Sequence, residues 1–330
     1  MVKKFTAIAL LLALVVCSMV PVSAETALTE EIRKASDYAH VGLVAEDAIY
    51  IMGANNLYVW RDGDKGMSVY MGTDLPGMPL EAFIRDGSLW TAIYSPYGNS
   101  GTDITFARIR MESDGRYTVP DTVVISAPNG ALLPGEKLDI TSAVSVEDKL
   151  YMLVKADYGE AQLWEFDWNS KTSSVLRNVM LGRKLFSSPY GKLLVECMDH
   201  DKGTAWYEMY DPKDNTFTVR GGVFKFDREN DGMVGVAWDS LNDLLFYQKD
   251  GELKCAPKLD PSNETTVTTI THPVDSMSFI AGITAKKDYA FLTREGPIVI
   301  DLDDSLNRVI TFKVVMPETI DAVVRTLQEL

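Results

Sequence analysis

Apolar and polar positions alternate in short runs along most of the chain. From about Gly42 onward the runs are rich in Val, Ile, Leu, Tyr, Phe and Trp, and Gly, Asp, Asn or Pro bound each one. This pattern is typical of short β-strands separated by tight turns. Helical periodicity is nearly absent before the last 15 residues. The pattern therefore predicts an all-β fold.

The predicted strands repeat as units, and each unit is clearest in two apolar strands joined by a polar turn. The units begin at residues 47, 86, 148, 191, 243 and 288, in steps of 39, 62, 43, 52 and 45 residues. The long step contains a Pro/Gly-rich insertion at 127–138, which predicts a loop. Without it, the period approaches the roughly 40–50 residues of a four-stranded propeller blade. The six strand pairs are 47–52 with 57–62, 87–94 with 104–109, 148–154 with 162–167, 191–196 with 205–211, 243–247 with 252–255, and 288–292 with 298–301.

Sheets of this size need neighbours, because one four-stranded sheet cannot bury both of its faces alone. Radial stacking buries the faces against each other and protects the long edges. We therefore predict a six-bladed β-propeller over residues 42–312, with seven blades as the alternative count, and a short strand-helix segment at 313–330. A β-sandwich is the main alternative, but it uses about 7–9 strands per domain, and this chain offers roughly two dozen.

The repeat pattern also carries a family resemblance. In the fifth unit it reads Asp243-Leu-Leu-Phe-Tyr-Gln-Lys-Asp-Gly-Glu-Leu-Lys. This resembles exported bacterial propellers with degenerate blades, of the loose six-bladed Tyr-Trp-Thr-Asp type, although the signature tetrapeptide is absent. Sialidase Asp boxes, WD40 Gly-His/Trp-Asp pairs and repeated kelch Gly-Gly doublets are missing, and Gly221-Gly222 is a lone doublet. The resemblance implies the fold and no particular ligand.

The first 24 residues have the pattern of a secretory signal peptide. Two lysines precede an apolar run at 5–16, and Val22-Ser23-Ala24 places small residues before a cleavage site at Glu25. The apolar run is shorter than the ~20 residues of a membrane-spanning helix. We expect a secreted, extracellular protein, with association with the cell envelope as a second localisation.

The three cysteines give information on lipid anchoring, disulfide formation and metal binding. A lipid anchor on Cys17 is disfavoured, because Val16 stands where lipoproteins need a small residue. Removal of the signal leaves Cys197 and Cys255, which could form a disulfide or be two small buried residues. Neither a CxxC motif nor a Cys/His cluster occurs in the sequence, which argues against structural zinc.

The chain is acidic, with 32 Lys and Arg against 47 Asp and Glu, a net charge of −15 and a pI of about 4.7. Removal of Lys3 and Lys4 with the signal leaves 30 basic and 47 acidic residues, a net charge of −17. Such a surface repels a phosphate backbone, so a nucleic-acid partner is not expected. No second stretch of about 20 apolar residues follows the signal, so no further membrane span is expected.

The two ends do not share the repeat. Residues 25–41 form a separate N-terminal segment, in which Thr29 could cap a short helix. At the other end, a strand at 308–316 leads into a predicted helix at 317–330, with apolar residues at i, i+3, i+4 and i+7. This unit looks like the opening of an extracellular solute-binding protein. That resemblance implies that the chain continues beyond Leu330 as part of an ABC-transporter receptor. The alternative is a helix that caps the propeller.

The sequence motifs assign no catalytic, ligand-binding or metal-binding residue, and no cofactor is predicted. His40, His200 and His272 lack metal-ligand spacing, and neither a Gly-x-Ser-x-Gly elbow nor a phosphate-binding loop is present. The stretch 227–232 imitates an EF-hand loop, but Trp238 replaces its bidentate Glu. The acidic stretches 61–64 and 301–304 indicate hairpin turns.

The tryptophans recur at equivalent positions of the units, which favours packing between blades over ligand contact. Trp168, which leads into a polar turn, is expected to be the exposed one. The six tryptophans are Trp60, Trp90, Trp164, Trp168, Trp206 and Trp238.

Two functions of different classes fit this sequence. The first is a secreted, non-catalytic binding module that presents a propeller face to a peptide, glycan or protein ligand. The alternative is a secreted hydrolase or lyase acting on polysaccharide, which would need two carboxylates about 5–9.5 Å apart near the central channel. Two acids beside an Arg or His in the central funnel would favour the enzyme. A funnel lined by apolar and amide groups would argue against it.

Overall fold

The computed structural model describes residues 41–314, except 46, 54–55, 62–63, 65, 73–74, 76, 95–102, 129–137, 157–159, 227–232, 271–280, 285, 294–295, 303–306 and 310. The predictions for the signal peptide 1–24, for 25–40, for 129–137 and for the helix 317–330 lie outside the described residues.

The described chain folds into 25 strands in six sheets, which confirms the predicted all-β, six-bladed propeller. Within each blade the strands are antiparallel and follow one another in sequence from the innermost strand outwards. The first three blades are β1 (Val41–Val44), β2 (Ala48–Met52), β3 (Asn56–Arg61) and β4 (Gly66–Met71); β5 (Met78–Arg85), β6 (Ser88–Tyr94), β7 (Asp103–Met111) and β8 (Tyr117–Ser126); and β9 (Leu138–Val146), β10 (Lys149–Ala156), β11 (Ala161–Asp167) and β12 (Thr172–Val179).

The second half of the ring repeats the same arrangement, with one short 3-10 helix at Pro261–Asn263 in blade 5. Blades 4 to 6 are β13 (Gly182–Ser187), β14 (Leu193–Asp199), β15 (Thr204–Asp211) and β16 (Thr216–Lys225); β17 (Val234–Asp239), β18 (Leu244–Lys249), β19 (Glu252–Pro257) and β20 (Thr265–Thr269); and β21 (Ala281–Ile283), β22 (Asp288–Thr293), β23 (Gly296–Asp301) and β24 (Asn307–Val309).

The last strand, β25 (Thr311–Val314), belongs to blade 1 rather than to blade 6. It pairs with the outer strand β4 in parallel, Thr311 opposite Gly66 and Val314 opposite Val69. All other strand pairs of the described sheets are antiparallel. This pairing returns the chain from the last blade to the first.

The strand pairs predicted from the sequence are the second and third strands of each blade. They were recognisable because a strand packed on both faces is apolar at nearly every position. In β2 all five residues are buried, and in β14 all seven are buried. The innermost and outermost strands carry more polar residues, since each has one side facing solvent or the central cavity.

Aromatic side chains fill the space between blades, and Trp168 is one of them. The prediction that Trp168 is exposed was wrong, because only 3% of its surface is accessible. Its ring meets Phe166 edge-on at 4.9 Å and lies 5.2 Å from the ring of Trp90, in blade 2. The guanidinium of Arg85 covers it at 4.3 Å. Residues from the neighbouring blade therefore bury a side chain that the local turn alone would leave exposed.

The lone Gly221-Gly222 doublet lies where the outer strand of blade 4 meets blade 5. Gly221 has a positive φ of 66°, and a Cβ atom there would lie 2.0 Å from the carbonyl oxygen of Leu259. The Gly222 N–H donates to that same oxygen at 2.9 Å. The doublet thus permits a close backbone contact between blades.

The two cysteines of the described chain are free and buried. Cys197 lies on β14 in blade 4 and Cys255 on β19 in blade 5, so they are two small buried residues rather than a disulfide. Burial raises the pKa of the Cys197 thiol to about 12. The described part of the chain contains no helix long and apolar enough to cross a membrane.

Candidate functional site: the central cavity

The six innermost strands, β1, β5, β9, β13, β17 and β21, surround a cavity of about 1480 Å³. Every blade contributes to its wall. Pockets for small molecules are usually about 300–1,000 Å³, so this space is large enough for an extended ligand. The cavity has two regions of different chemistry, which we call the charged layer and the serine mouth.

The described wall of the cavity balances its charges although the whole chain has a net charge of −15. Four acidic and four basic side chains line it. They are Asp47, Glu81, Asp139 and Glu196, and Arg61, Arg110, Arg183 and Lys184.

The charged layer consists of Glu81 on β5, Lys184 on β13 and Glu196 on β14. Lys184 Nζ donates to the carbonyl oxygens of Val236, at 2.9 Å, and Ala281, at 3.1 Å. This one amine therefore links blade 4 to blades 5 and 6. Burial lowers the pKa of Lys184 to about 8, and the negative charges of Glu196 and Glu81 oppose that shift.

Glu81 lies deep in the protein but keeps some contact with the cavity. Burial raises the pKa of Glu81 to about 8, and the nearby charge of Asp139 adds to the rise. The Ala82 N–H, which donates to Glu81 Oε1 at 3.3 Å, and the charge of Lys184 lower it by less. The Glu81 carboxyl group is therefore mainly protonated at pH 7 and can donate a hydrogen bond or a proton.

Glu196 stands opposite Lys184 in the register of β13 and β14, and only 1% of it is accessible. Its Oε1 accepts a hydrogen bond from the hydroxyl of Tyr207 at 3.3 Å. Burial, and then the neighbouring charge of Glu196, raise the pKa of Tyr207 well above the usual value. Glu196 is thus committed to contacts within the protein.

The serine mouth lies at the other end of the innermost strands, where they lead into the turns before the second strands. It is lined by four serine side chains from blades 2 to 5: Ser88, Ser145, Ser187 and Ser240. The Ser145 hydroxyl donates to the Lys149 carbonyl oxygen at 3.4 Å. In the part of the chain that the structure describes, the other three hydroxyls form no hydrogen bond with protein atoms.

Trp238, at the end of β17, completes the serine mouth. It is half-buried, and part of its surface packs against the apolar core between blades 4 and 5. Its Nε1 lies 3.4 Å from Asp243 Oδ1, an acceptor on the side of blade 5. The indole is therefore held in place, and Trp238 is one of the residues that line the cavity.

The structure places the sequence candidates elsewhere. His200 is exposed in the turn between β14 and β15, and its ring lies 6.0 Å from that of Phe226. His40, His272 and the stretch 227–232 fall outside the described residues. Within the described ranges, no three His, Cys, Asp or Glu residues are grouped closely enough to hold a metal ion.

Acidic and basic residues line the wall of the cavity. Glu81, Asp139 and Arg183 are among them, and acids beside an arginine are the lining that favours the enzyme. The sequence patterns did not identify these residues because each lies in a different strand. In each strand the residue looks like an ordinary polar position. Only ring closure brings the strands together.

The chain has distant similarity to several solved structures. No protein-family model and no curated protein matches the sequence. An oligogalacturonate lyase structure from Vibrio parahaemolyticus is 10% identical with a TM-score of 0.47, over 78% of this chain and 75% of that one. A Lactobacillus plantarum protein is 16% identical with a TM-score of 0.44, over 85% and 86%. The extracellular domain of a B. thetaiotaomicron protein is 13% identical with a TM-score of 0.45, over 84% of this chain and only 36% of that chain.

Proposed function

We propose that this protein is a secreted binding module whose ligand occupies the central cavity. The observation that carries the proposal is the cavity itself, about 1480 Å³ in volume and bounded by side chains from all six blades. A polar cavity at the axis of a rigid ring offers converging groups to one ligand without any rearrangement of the fold.

Two of the three groups of the charged layer, Lys184 and Glu196, are engaged within the protein. Lys184 is held by two backbone carbonyl oxygens, and Glu196 is held by Tyr207. Groups engaged in this way stabilise the ring and are not available to attack a substrate. The open hydrogen-bonding capacity of the cavity lies instead at the serine mouth.

A selection experiment tests the proposal. The protein is incubated with a pooled library of peptides, oligosaccharides and small metabolites, and retained compounds are identified by mass spectrometry. We expect at least one compound to be retained and recovered chemically unchanged. The Ser145→Trp variant, whose indole would occupy part of the serine mouth, should retain it about tenfold less, since the added side chain takes space from the ligand.

Ser174→Trp is the matched control, because Ser174 is exposed on the outer strand β12 and is not among the cavity-lining residues. This variant should bind like the parent protein. Failure to retain any compound, or equal retention by Ser145→Trp, contradicts a binding role for the cavity.

We further propose that the propeller is the N-terminal part of an extracellular solute-binding protein of an ABC transporter. The sequence resemblance of 308–330 to the first β-α unit of such proteins supports this, and the strand residues of that unit also contribute to β24 and β25 of the ring. Sequencing of the gene past the Leu330 codon tests it. A long open frame of alternating strands and helices is expected, and a stop codon at that point contradicts the proposal.

The second candidate function is a polysaccharide hydrolase or lyase. One observation favours it: the pKa of Glu81 is raised to about 8, as in a general acid, and Asp139 and Arg183 line the same cavity. Digestion of a polysaccharide panel, followed by analysis of the products, tests this function. Products that disappear with Glu81→Gln and persist with Asp201→Asn, an exposed turn residue, would establish the enzyme.

A further inference from the structure

We infer that the serine mouth binds a neutral saccharide. The inference rests on the proposed function, because it names the ligand class of the same cavity. It depends on the serine mouth and not on the charged layer.

Hydroxyl groups are the first reason. Ser88, Ser187 and Ser240 come from three different blades, and their hydroxyls form no hydrogen bond with protein atoms in the described chain. A serine hydroxyl can both donate and accept, which matches the hydroxyl groups of a sugar. A ring of such groups binds one polyhydroxylated ligand from several sides.

The tryptophan is the second reason. Trp238 is two residues before Ser240 in the chain; it is one of the cavity-lining residues and also packs against the apolar core between blades 4 and 5. A fixed aromatic ring offers a flat apolar surface. The indole N–H of Trp238 is already hydrogen-bonded to Asp243. The C–H face of a pyranose ring is also flat and apolar. A hydroxyl ring beside an aromatic platform suits a sugar better than a hydrocarbon.

Charge balance is the third reason, and it argues for a neutral sugar. With Glu81 mainly protonated at pH 7, the described wall carries three negative and four positive charges, and Glu112, which pairs with Arg110, offsets the fourth positive charge. Arg110 is already paired with Glu112 at 2.7 Å. Burial raises the pKa of the Tyr50 hydroxyl, the charge of Asp47 raises it further, and the charge of Arg61 lowers it. An acidic or a cationic sugar would find no unbalanced charge.

The rim gives the ligand room to extend. The turns that follow Ser187 and Ser240 carry Tyr190 and Leu241, which are 70% and 72% exposed. The cavity also exceeds the usual size of a small-molecule pocket. We therefore expect an oligosaccharide rather than a single sugar.

Isothermal titration with short neutral oligosaccharides (cello-, xylo-, manno- and galacto-series) tests the inference, beside oligogalacturonates and short peptides. At least one neutral series should bind. Trp238→Ala should weaken it about tenfold or more, while Trp238→Phe keeps most of the affinity because it keeps an aromatic surface.

The double variant Ser187→Ala, Ser240→Ala keeps the test decisive if Trp238→Ala does not fold. It should also weaken binding about tenfold, and the exposed outer-strand variant Ser174→Ala should change it less than twofold. Oligogalacturonate or peptide binding that these variants weaken would overturn the saccharide inference and leave the binding function intact. Absence of binding by any probe, or binding that no cavity variant changes, would overturn both.

Discussion

The charged layer and the serine mouth lie in one cavity, but they differ in how far their polar groups are hydrogen-bonded within the protein. In the charged layer, Lys184 and Glu196 make their hydrogen bonds to other parts of the protein. In the serine mouth, the described hydroxyls of Ser187 and Ser240 make none. A polar group satisfied within the protein stabilises the fold, whereas one left facing a cavity can bind a ligand at little cost to stability.

The largest expected effect is in the charged layer. Lys184→Met removes the amine that links three blades and leaves Glu196 buried without its opposing charge, so the free energy of unfolding should fall by about 3 kcal/mol. Chemical denaturation measures it. Arg116→Met is the control, because its ion pair with Asp114 is exposed and worth about 0–1 kcal/mol. Equal losses in the two variants would contradict a linking role for Lys184.

Glu81 should make stability depend on pH. Its pKa rises from an ordinary 4.5 to about 8 in the folded protein, so the folded state holds this proton more tightly. Stability from this group is therefore present at low pH and declines as the pH rises from 4.5 to 8. Glu81→Gln should remove that decline and be more stable than the parent at pH 8, by on the order of 2 kcal/mol. If the stabilities of the parent and of Glu81→Gln change in parallel between pH 5 and pH 8, the predicted role of Glu81 is disproved.

Tyr207→Phe tests the other carboxylate of the layer. It leaves Glu196 buried without the hydroxyl donor, which should cost about 1–2 kcal/mol of unfolding free energy. Thermal and urea denaturation both report this loss. Tyr190→Phe serves as its counterpart, since Tyr190 is mostly exposed and should change stability by less than about 0.5 kcal/mol.

The smallest effect on stability belongs to the serine mouth. Ser187→Ala with Ser240→Ala should leave the free energy of unfolding within about 0.5 kcal/mol of the parent, because no protein hydrogen bond of the described chain is lost. Denaturation curves that overlay those of the parent are expected. A loss comparable to that of Lys184→Met would erase the distinction between the two regions.

The fold was largely predictable because the second and third strands of each blade are mostly apolar. Strands such as β2 and β14, buried on both faces, leave a clear signal in the sequence. The tight turns between them carry Gly and Asp, which separates one strand from the next. Six such units with a near-constant period were enough to identify the ring.

The cavity was not predictable in the same way. Glu81 and Lys184 lie far apart in the chain, and each looks like an ordinary polar position in an alternating strand. Their meeting depends on how six sheets close around an axis, which no local pattern encodes. The burial of Trp168 was also not predictable from the local sequence. Its neighbours in sequence form a polar turn, but Arg85 and Trp90 of the adjacent blade bury it.

The parallel pairing of β25 with β4 has a consequence for the order of folding. Each blade is built from strands adjacent in sequence, so its hairpins close short loops and can form early. The β25–β4 pairing joins residues 311–314 to residues 66–69, the strand pairing with the largest sequence separation in the described chain. The entropic cost of closing this long loop becomes small only after the intervening blades have folded. Completion of the ring should therefore be the last and slowest step, and the cavity exists only after it.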